Sequence, residues 1–488
     1  MTYIIGESRD QFTLTPLCLD DYIGPDSICR VIEAYVSRLD MIALGFKYAE
    51  IKDTGRPPFD PAKMLSLYIY GYLNRVRSSR RLEAETGRNI EVMWLMDKLT
   101  PDDKTISNFR KDNAAALRKV FREFSLWCSA EGLYGKELIA VDGTKIRAAS
   151  SRKNSHTQKF TEKQLADVEK KITKYMKSLD ENDAQESDEV KPSAEAVQDA
   201  LKKLTDKKAK LEGFLDQMKE NGVEEISTVD PDCRIMKQGG DGRPLDACYN
   251  VQTAVDAKNK LIVDFEVTSC AKDAGSLFET TQSAKEILDV QEITVVADKG
   301  YYEGKDIADC ENHGTTCLIP EVPGSYSAPD PKYDHENFIY NKESDIYTCP
   351  EGQALSYKRV IKHNKADGTK GTNRVYGNPK ACANCPHRAE CTESKNGRSI
   401  YRSEYQDTLD EVDARMSTPE GRQTFKKRQQ TVEHPFGTTK HGWGYRNYLC
   451  RGKEKTTAEQ SMVFLAYNLR RVINIFKANE WNLVERLA

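Results

Sequence analysis

Two short apolar runs, each ending on an aspartate, constrain this chain more than any other feature: "ELIAVDGTK" around Asp142 and "ITVVADKGYY" around Asp298. A brief apolar run bounded by polar residues reads as a strand buried on both faces. Each run therefore predicts a strand that delivers a carboxylate at its tip. Between them, "DACYNVQTAVDAKNKLIVDFEVTS" (246–269) alternates as two strands joined at Asp256-Ala-Lys-Asn, and "TTCLIPE" (315–321) is a further strand. Helical spacing fills the gaps, notably over 274–290. The predicted order, three strands, helix, strand, helix, strand, is that of an RNase H-like mixed sheet.

Other segments interrupt or flank this sheet. Residues 16–130 read as helical, with cap signals at "GPDSICRV" and "FDPAKML". Two short helices about Gly87, in a stretch holding Arg80 and Arg81, fit a helix-turn-helix, against the plainer alternative of a bundle with a basic face. Residues 155–225 keep 3/4 apolar spacing on either side of the acidic 180–192, which predicts an antiparallel helical hairpin. The predicted boundaries are a helical DNA-binding domain at 1–130, a catalytic domain in three pieces at 131–154, 229–321 and 416–488, an inserted hairpin at 155–228 and an inserted four-cysteine subdomain at 322–415. At 488 residues, two to four domains or one domain with large insertions are expected.

Charge is uneven. The chain carries a formal −3, yet residues 421–455 hold nine Lys/Arg against Glu433 and Glu454, a net of 9 − 2 = +7, and 140–160 add five bases against Asp142. Such a stripe suits phosphate contacts in a chain that is acidic elsewhere. With 31% charged residues, a mean hydropathy of −0.68, no long apolar run and no signal-peptide pattern at the start, a soluble cytoplasmic protein is expected, with no membrane partner.

Asp142, Asp298 and Glu433, in the basic segment "TVEHPFGTTKHGWGYRNY", stand out as a set. Phosphodiester chemistry calls for such a set, because Mg²⁺ or Mn²⁺ takes hard oxygen ligands and two ions about 3.5–4 Å apart can activate one oxygen and stabilise another. Asp241 and Asp256 compete on composition, although Asp256 falls in an apparent hairpin turn. The plain alternative for each acid alone is a turn or surface residue. Lys440, Arg428, Lys145, Arg446, Trp443, Tyr445, Arg80 and Arg81 are the candidate DNA contacts, with core packing the alternative for the two aromatics. Pro435 predicts a kink or break just after Glu433. Of thirteen cysteines, Cys349, Cys382, Cys385 and Cys391 cluster, in "YTCPEGQ" and "CANCPHRAEC". Four thiolates at such spacing predict structural zinc, with a [4Fe–4S] cluster or no metal as alternatives.

At "VDGTK", "ADKGYY" and "VEHPFGTTK" the sequence resembles the DDE transposases of bacterial insertion sequences, in the branch with a tyrosine, arginine, glutamate, lysine signature. The resemblance extends to "PDDKTISNFR" (101–110) in the helical segment. It implies Asp142, Asp298 and Glu433 as catalytic metal ligands, terminal inverted repeats and target DNA as partners, cleavage followed by strand transfer, and a homodimer or larger assembly. The signature's tyrosine and arginine positions hold Lys426 and Gln429 here, with Phe425 and Arg428 displaced by one. An inactive DNA-binding derivative and a stand-alone nuclease of the same fold are the competing readings.

Overall fold

The computed structural model describes residues 18–50, 57–183, 194–238, 245–321, 328–364 and 370–487. Asp241 and most of the acidic 180–192 run lie outside them.

Among the described residues, seven α-helices precede the first strand. Among them α1 (Ile28–Ser37), α2 (Pro61–Leu73), α3 (Ser79–Thr86), α4 (Ile90–Leu95), α5 (Asp103–Asp112) and α6 (Ala114–Ala130) build the helical start of the chain. Asp60 caps α2 by accepting from Ala62 N, with Pro61 at the first helical position, where its missing N–H costs nothing. The two short helices about Gly87 are α3 and α4.

A six-stranded mixed sheet follows. Its strands are β1 (Leu138–Arg147), β2 (Arg234–Lys237), β3 (Leu245–Asp256), β4 (Ile262–Thr268), β5 (Ile293–Val296) and β6 (Thr315–Leu318). β1 pairs antiparallel with β3 and parallel with β5, and β5 pairs parallel with β6. The far edge of β3 is shared by β4 and β2. This is a mixed α/β architecture consistent with an RNase H-like sheet. Between β1 and β2 the chain forms α7 (Gln158–Asp183) and α8 (Ala194–Glu220), which pack on each other around Val168, Leu211, Phe214 and Met218. A second, five-stranded antiparallel sheet spans residues 339–403 and has its own small apolar cluster of Phe338, Tyr347, Leu355, Tyr376 and Ile400.

The helical start and the mixed sheet share one core. The helix α9 (Leu277–Leu288) lies against β4, and the closing helix α13 (Lys453–Ala478) lies against α6, α2 and β4. Asn468, fully buried on α13, accepts from Ile262 N at 2.9 Å and donates to Ile262 O at 2.7 Å. It pairs Ile262 N and shares Ile262 O with the Tyr134 hydroxyl, which donates at 3.0 Å. Asn468→Leu leaves Ile262 N without its side-chain acceptor while Ile262 O keeps Tyr134, a cost of about 1–3 kcal/mol. A fall in unfolding free energy of about that size in denaturant titration is the expected result.

Candidate active site

The site is set by where β5 stops. Parallel pairing joins Leu138–Ala140 to Thr294–Val296 and goes no further, whereas β1 runs on to Arg147 along β3. Asp142 is therefore not at a strand tip, as the sequence suggested, but mid-strand, just past the end of its parallel neighbour. Continuing the register by two residues sets it level with Asp298, the second residue beyond the end of β5. Asp298 caps the short helical turn Lys299–Tyr301 by accepting from Gly300 N at 2.8 Å. Asp142 accepts from Gly143 N at 2.9 Å, a backbone donor that a longer β5 would have engaged.

Helix α12 (Pro419–Phe436) crosses β1, β3 and β5. Arg428 points inward from it, its Nη1 3.7 Å from Asp142 Oδ2, with both side chains about four-fifths buried. This is the arginine displaced by one position from the family signature, and it reaches the site nonetheless. Burial pushes the Asp142 carboxyl up to about 6; Arg428 opposes that shift, while the charges of Asp298 and Asp273 add to it.

Glu433 sits on the outward face of α12. It is exposed and accepts from Gln429 Nε2 at 2.9 Å, one turn earlier. The inward face holds Arg428, Thr431, Val432 and Pro435. Two of the expected carboxylates thus converge, and the third stands on the helix that covers them. Among the described residues, no group of three or more His, Cys, Asp or Glu side chains could hold a metal ion as it stands.

The helix does not break after Glu433. It continues through Pro435 and widens into a π-helical turn, Gly437–Gly442. Gly437 N reaches the carbonyls of Glu433 and His434, and Trp443 N closes on Thr438 O at 2.8 Å. The turn carries Lys440 back to β1, where its Nζ donates to Lys145 O at 2.7 Å and Thr144 Oγ1 at 3.1 Å. Residues 446–448 then bond both backbone groups of Arg147.

The other candidate DNA contacts divide. Lys145 is held by Asp273 at 2.9 Å beside the site. Arg446 is exposed next to Lys440, donating to its carbonyl at 3.1 Å. Arg80 and Arg81 are exposed on α3, Arg80 lying 3.3 Å from Asp103. Tyr445 is instead buried, its hydroxyl donating to Tyr72 O at 2.7 Å and its ring under Arg77; Trp443 packs edge-on against it. A buried ring with a satisfied hydroxyl is a core residue, which corrects the reading of Tyr445 as a base-stacking surface. Asp256 is also structural: fully buried, it accepts from Gly135, Lys136 and Lys258 backbone N–H groups.

Sequence reasoning missed Asp273, Asn250, Gln252 and Tyr301, which surround the two aspartates. The available signal was polar: Asn250 and Gln252 are amides on either side of Val251 in a strand that is buried almost throughout.

Cys349, Cys382, Cys385 and Cys391 line one cavity beside the second sheet. Cys349 Sγ accepts from Gln353 N at 3.3 Å, and burial together with the other three sulfurs raises the Cys391 thiol, against Arg398. Gly397, at φ +80, approaches so closely that a Cβ would lie 2.5 Å from Cys382 Cβ.

Because the folded Asp142 carboxyl titrates above its ordinary range, its protonated form is the stable one. That stabilisation is fully present below about pH 4 and is lost as pH rises through about 6. In metal-free buffer Asp142→Asn, which mimics the protonated form, is expected to stabilise the chain above pH 6 by up to about 3 kcal/mol, with the difference closing near pH 4. Thermal melts across that range measure it.

Residues 348–473 match the family described as Transposase DDE domain, and residues 17–112 match the Transposase domain (DUF772). The first match takes in the four cysteines, Arg428, Glu433 and Lys440; the second covers the helical start. No curated protein and no solved structure matches the chain. A transposase-domain match at either end, with a mixed sheet gathering the "VDGTK" and "ADKGYY" aspartates between them, is consistent with a DDE transposase of an insertion sequence.

Proposed function

We propose that this chain is a transposase that binds terminal inverted repeats and catalyses metal-dependent DNA cleavage and strand transfer at Asp142, Asp298 and Glu433. The observation that carries the reading is the level placement of Asp142 and Asp298 in the gap beside β1, under a helix bearing a third carboxylate. The donor set fits Mg²⁺ or Mn²⁺: hard carboxylate oxygens, two of them partly buried side by side, with cations close by. Ions held there would lower the charge on the scissile phosphate and sharpen the nucleophile, first water and then a 3′-hydroxyl. The chain's own contribution is positional. Arg428 neutralises Asp142 while the site is empty of substrate, and Lys440, Lys145 and Arg446 line the approach that a DNA backbone would take. Arg80 and Arg81 lie on α3 in the helical start and are the proposed contacts there. A dimer or larger assembly is proposed because two ends must be joined.

Glu433 brings a geometric requirement. Five residues separate it from Arg428, which turns the two side chains about 140° apart on an α-helix. Its engagement requires α12 to rotate on the sheet.

Asp142→Ala, Asp298→Ala and Glu433→Ala are each expected to reduce nicking of end-containing DNA by at least about 10³-fold, with end binding retained within about twofold. Nicking that survives in all three variants would refute the assignment. Wild-type binding without nicking would mark an inactive derivative, and nicking without joining of pre-cut ends would mark a stand-alone nuclease.

The four cysteines are proposed to hold a structural ion, zinc rather than a [4Fe–4S] cluster. Four sulfurs on one cavity, one of them already accepting a backbone N–H, support this. Elemental analysis of the purified full chain is expected to give about one zinc per chain, lost in Cys382→Ser and Cys385→Ser. Iron with absorption near about 400 nm would replace zinc by the cluster, and neither metal would refute both.

A further inference from the structure

We propose that Asp273 is a positioning residue of the metal site, a fixed anion that locks the "VDGTK" and "ADKGYY" motifs into one unit. This rests on the reading of Asp142 and Asp298 as metal ligands.

The Asp273 carboxylate is bound from three sides. Lys145 Nζ donates at 2.9 and 3.0 Å, Asn250 Nδ2 at 2.7 Å and Gln252 Nε2 at 2.8 Å. The two amide residues are fully buried on β3, and the bonds to this carboxylate satisfy N–H groups that burial would otherwise make costly. The space for it is made by Gly143. Any Cβ at that position would stand 2.4 Å from Asp273 Oδ1 and 2.8 Å from Gln252 Nε2, so the residue after Asp142 must be glycine for the carboxylate to sit against β1. From the other motif, the Tyr301 hydroxyl donates to Gln252 Oε1, and Gln252 in turn donates to Asp273. Asp273 and Asp298 also approach closely, each with an oxygen within 4 Å of the point a Cβ on Gly300 would take.

One carboxylate therefore ties Lys145 of the first motif, through Gln252, to Tyr301 of the second. Because Lys145 occupies it, Asp273 acts on the metal ligands through their spacing and through its charge. Outer residues that fix metal ligands in this way typically change metal affinity or activity about 10- to 100-fold when removed.

The test is a Mn²⁺ titration of the full chain, read by nicking of end-containing DNA and, independently, by the shift in melting temperature on adding Mn²⁺. Asp273→Ala and Asp273→Asn are expected to raise the Mn²⁺ midpoint at least about tenfold in both readouts, with DNA-end binding unchanged. Asp273→Glu should recover part of the loss, and Gly143→Ala should reproduce the defect by displacing the carboxylate. If Asp273→Ala fails to fold, Asp273→Asn and Gly143→Ala decide. A wild-type midpoint in these variants overturns the inference. An unchanged Mn²⁺ response in Asp142→Ala instead overturns the site reading beneath it.

Discussion

A gap in the hydrogen bonding along one edge of β1 is the constraint on which the site depends. That edge is bonded to β5 as far as Ala140 and to residues 446–448 at Arg147. Between these points the backbone is left to other partners: Gly143 N goes to the Asp142 carboxylate and Lys145 O to Lys440. A sheet edge with unpaired groups is normally a liability, and here it is occupied by charged side chains rather than by another strand. The opposite edge of β1 is paired continuously from Ile139 to Arg147, so the strand stays rigid while one side remains open. Asp142 gains a fixed backbone beside an edge that no strand covers.

Electrostatics then decide what can occupy the gap. Asp142, Asp273 and Asp298 face Lys145 and Arg428, which leaves one negative charge in excess when all are ionised. Partial burial makes that excess costly, as the raised Asp142 pKa records. A site in this state favours an added cation over an added anion. DNA alone would be repelled by the aspartates, whereas DNA accompanied by divalent ions meets a neutral or positive surface flanked by Lys440 and Arg446. In the proposed reaction, metal and phosphate would be coupled through the same small set of charges.

The strands and two of the acids were legible because a buried strand has a composition that needs no tertiary information: short, apolar, bounded by polar residues. The element order that makes the mixed sheet was legible for the same reason. What could not be read was set by convergence. Asp273 lies in a loop with no distinguishing neighbours, and its importance comes from the empty side of Gly143 and from amides on another strand. Pro435 suggested a kink or break because proline lacks the N–H that an interior helical position uses. The helix does not break there but changes type just beyond it, where Thr439 Oγ1 donates to Pro435 O at 2.7 Å and Trp443 N reaches back five residues. The aromatic and basic run 443–446 has a composition shared by nucleic-acid surfaces and core seams; the Tyr445 hydroxyl on Tyr72 O assigns that residue to the core.

The π-helical turn bears on how the third acid relates to the other two. Its wider winding lets Lys440 return to β1 although Glu433, seven residues earlier, faces outward; an unbroken α-helix would put the two on one face, about 10.5 Å apart along the axis. The turn therefore separates two demands on one short segment: anchoring to the sheet through Lys440 and the 446–448 bridge, and presenting an acid on the face of α12 away from the core. Since the anchor lies beyond the turn, the rotation of α12 that the proposed role of Glu433 requires would fall on the turn before it reached the anchor. Wound as a continuous α-helix, the segment would tie the orientation of Glu433 directly to the Lys440 contact, and the acid could reach Asp142 only by releasing the lysine.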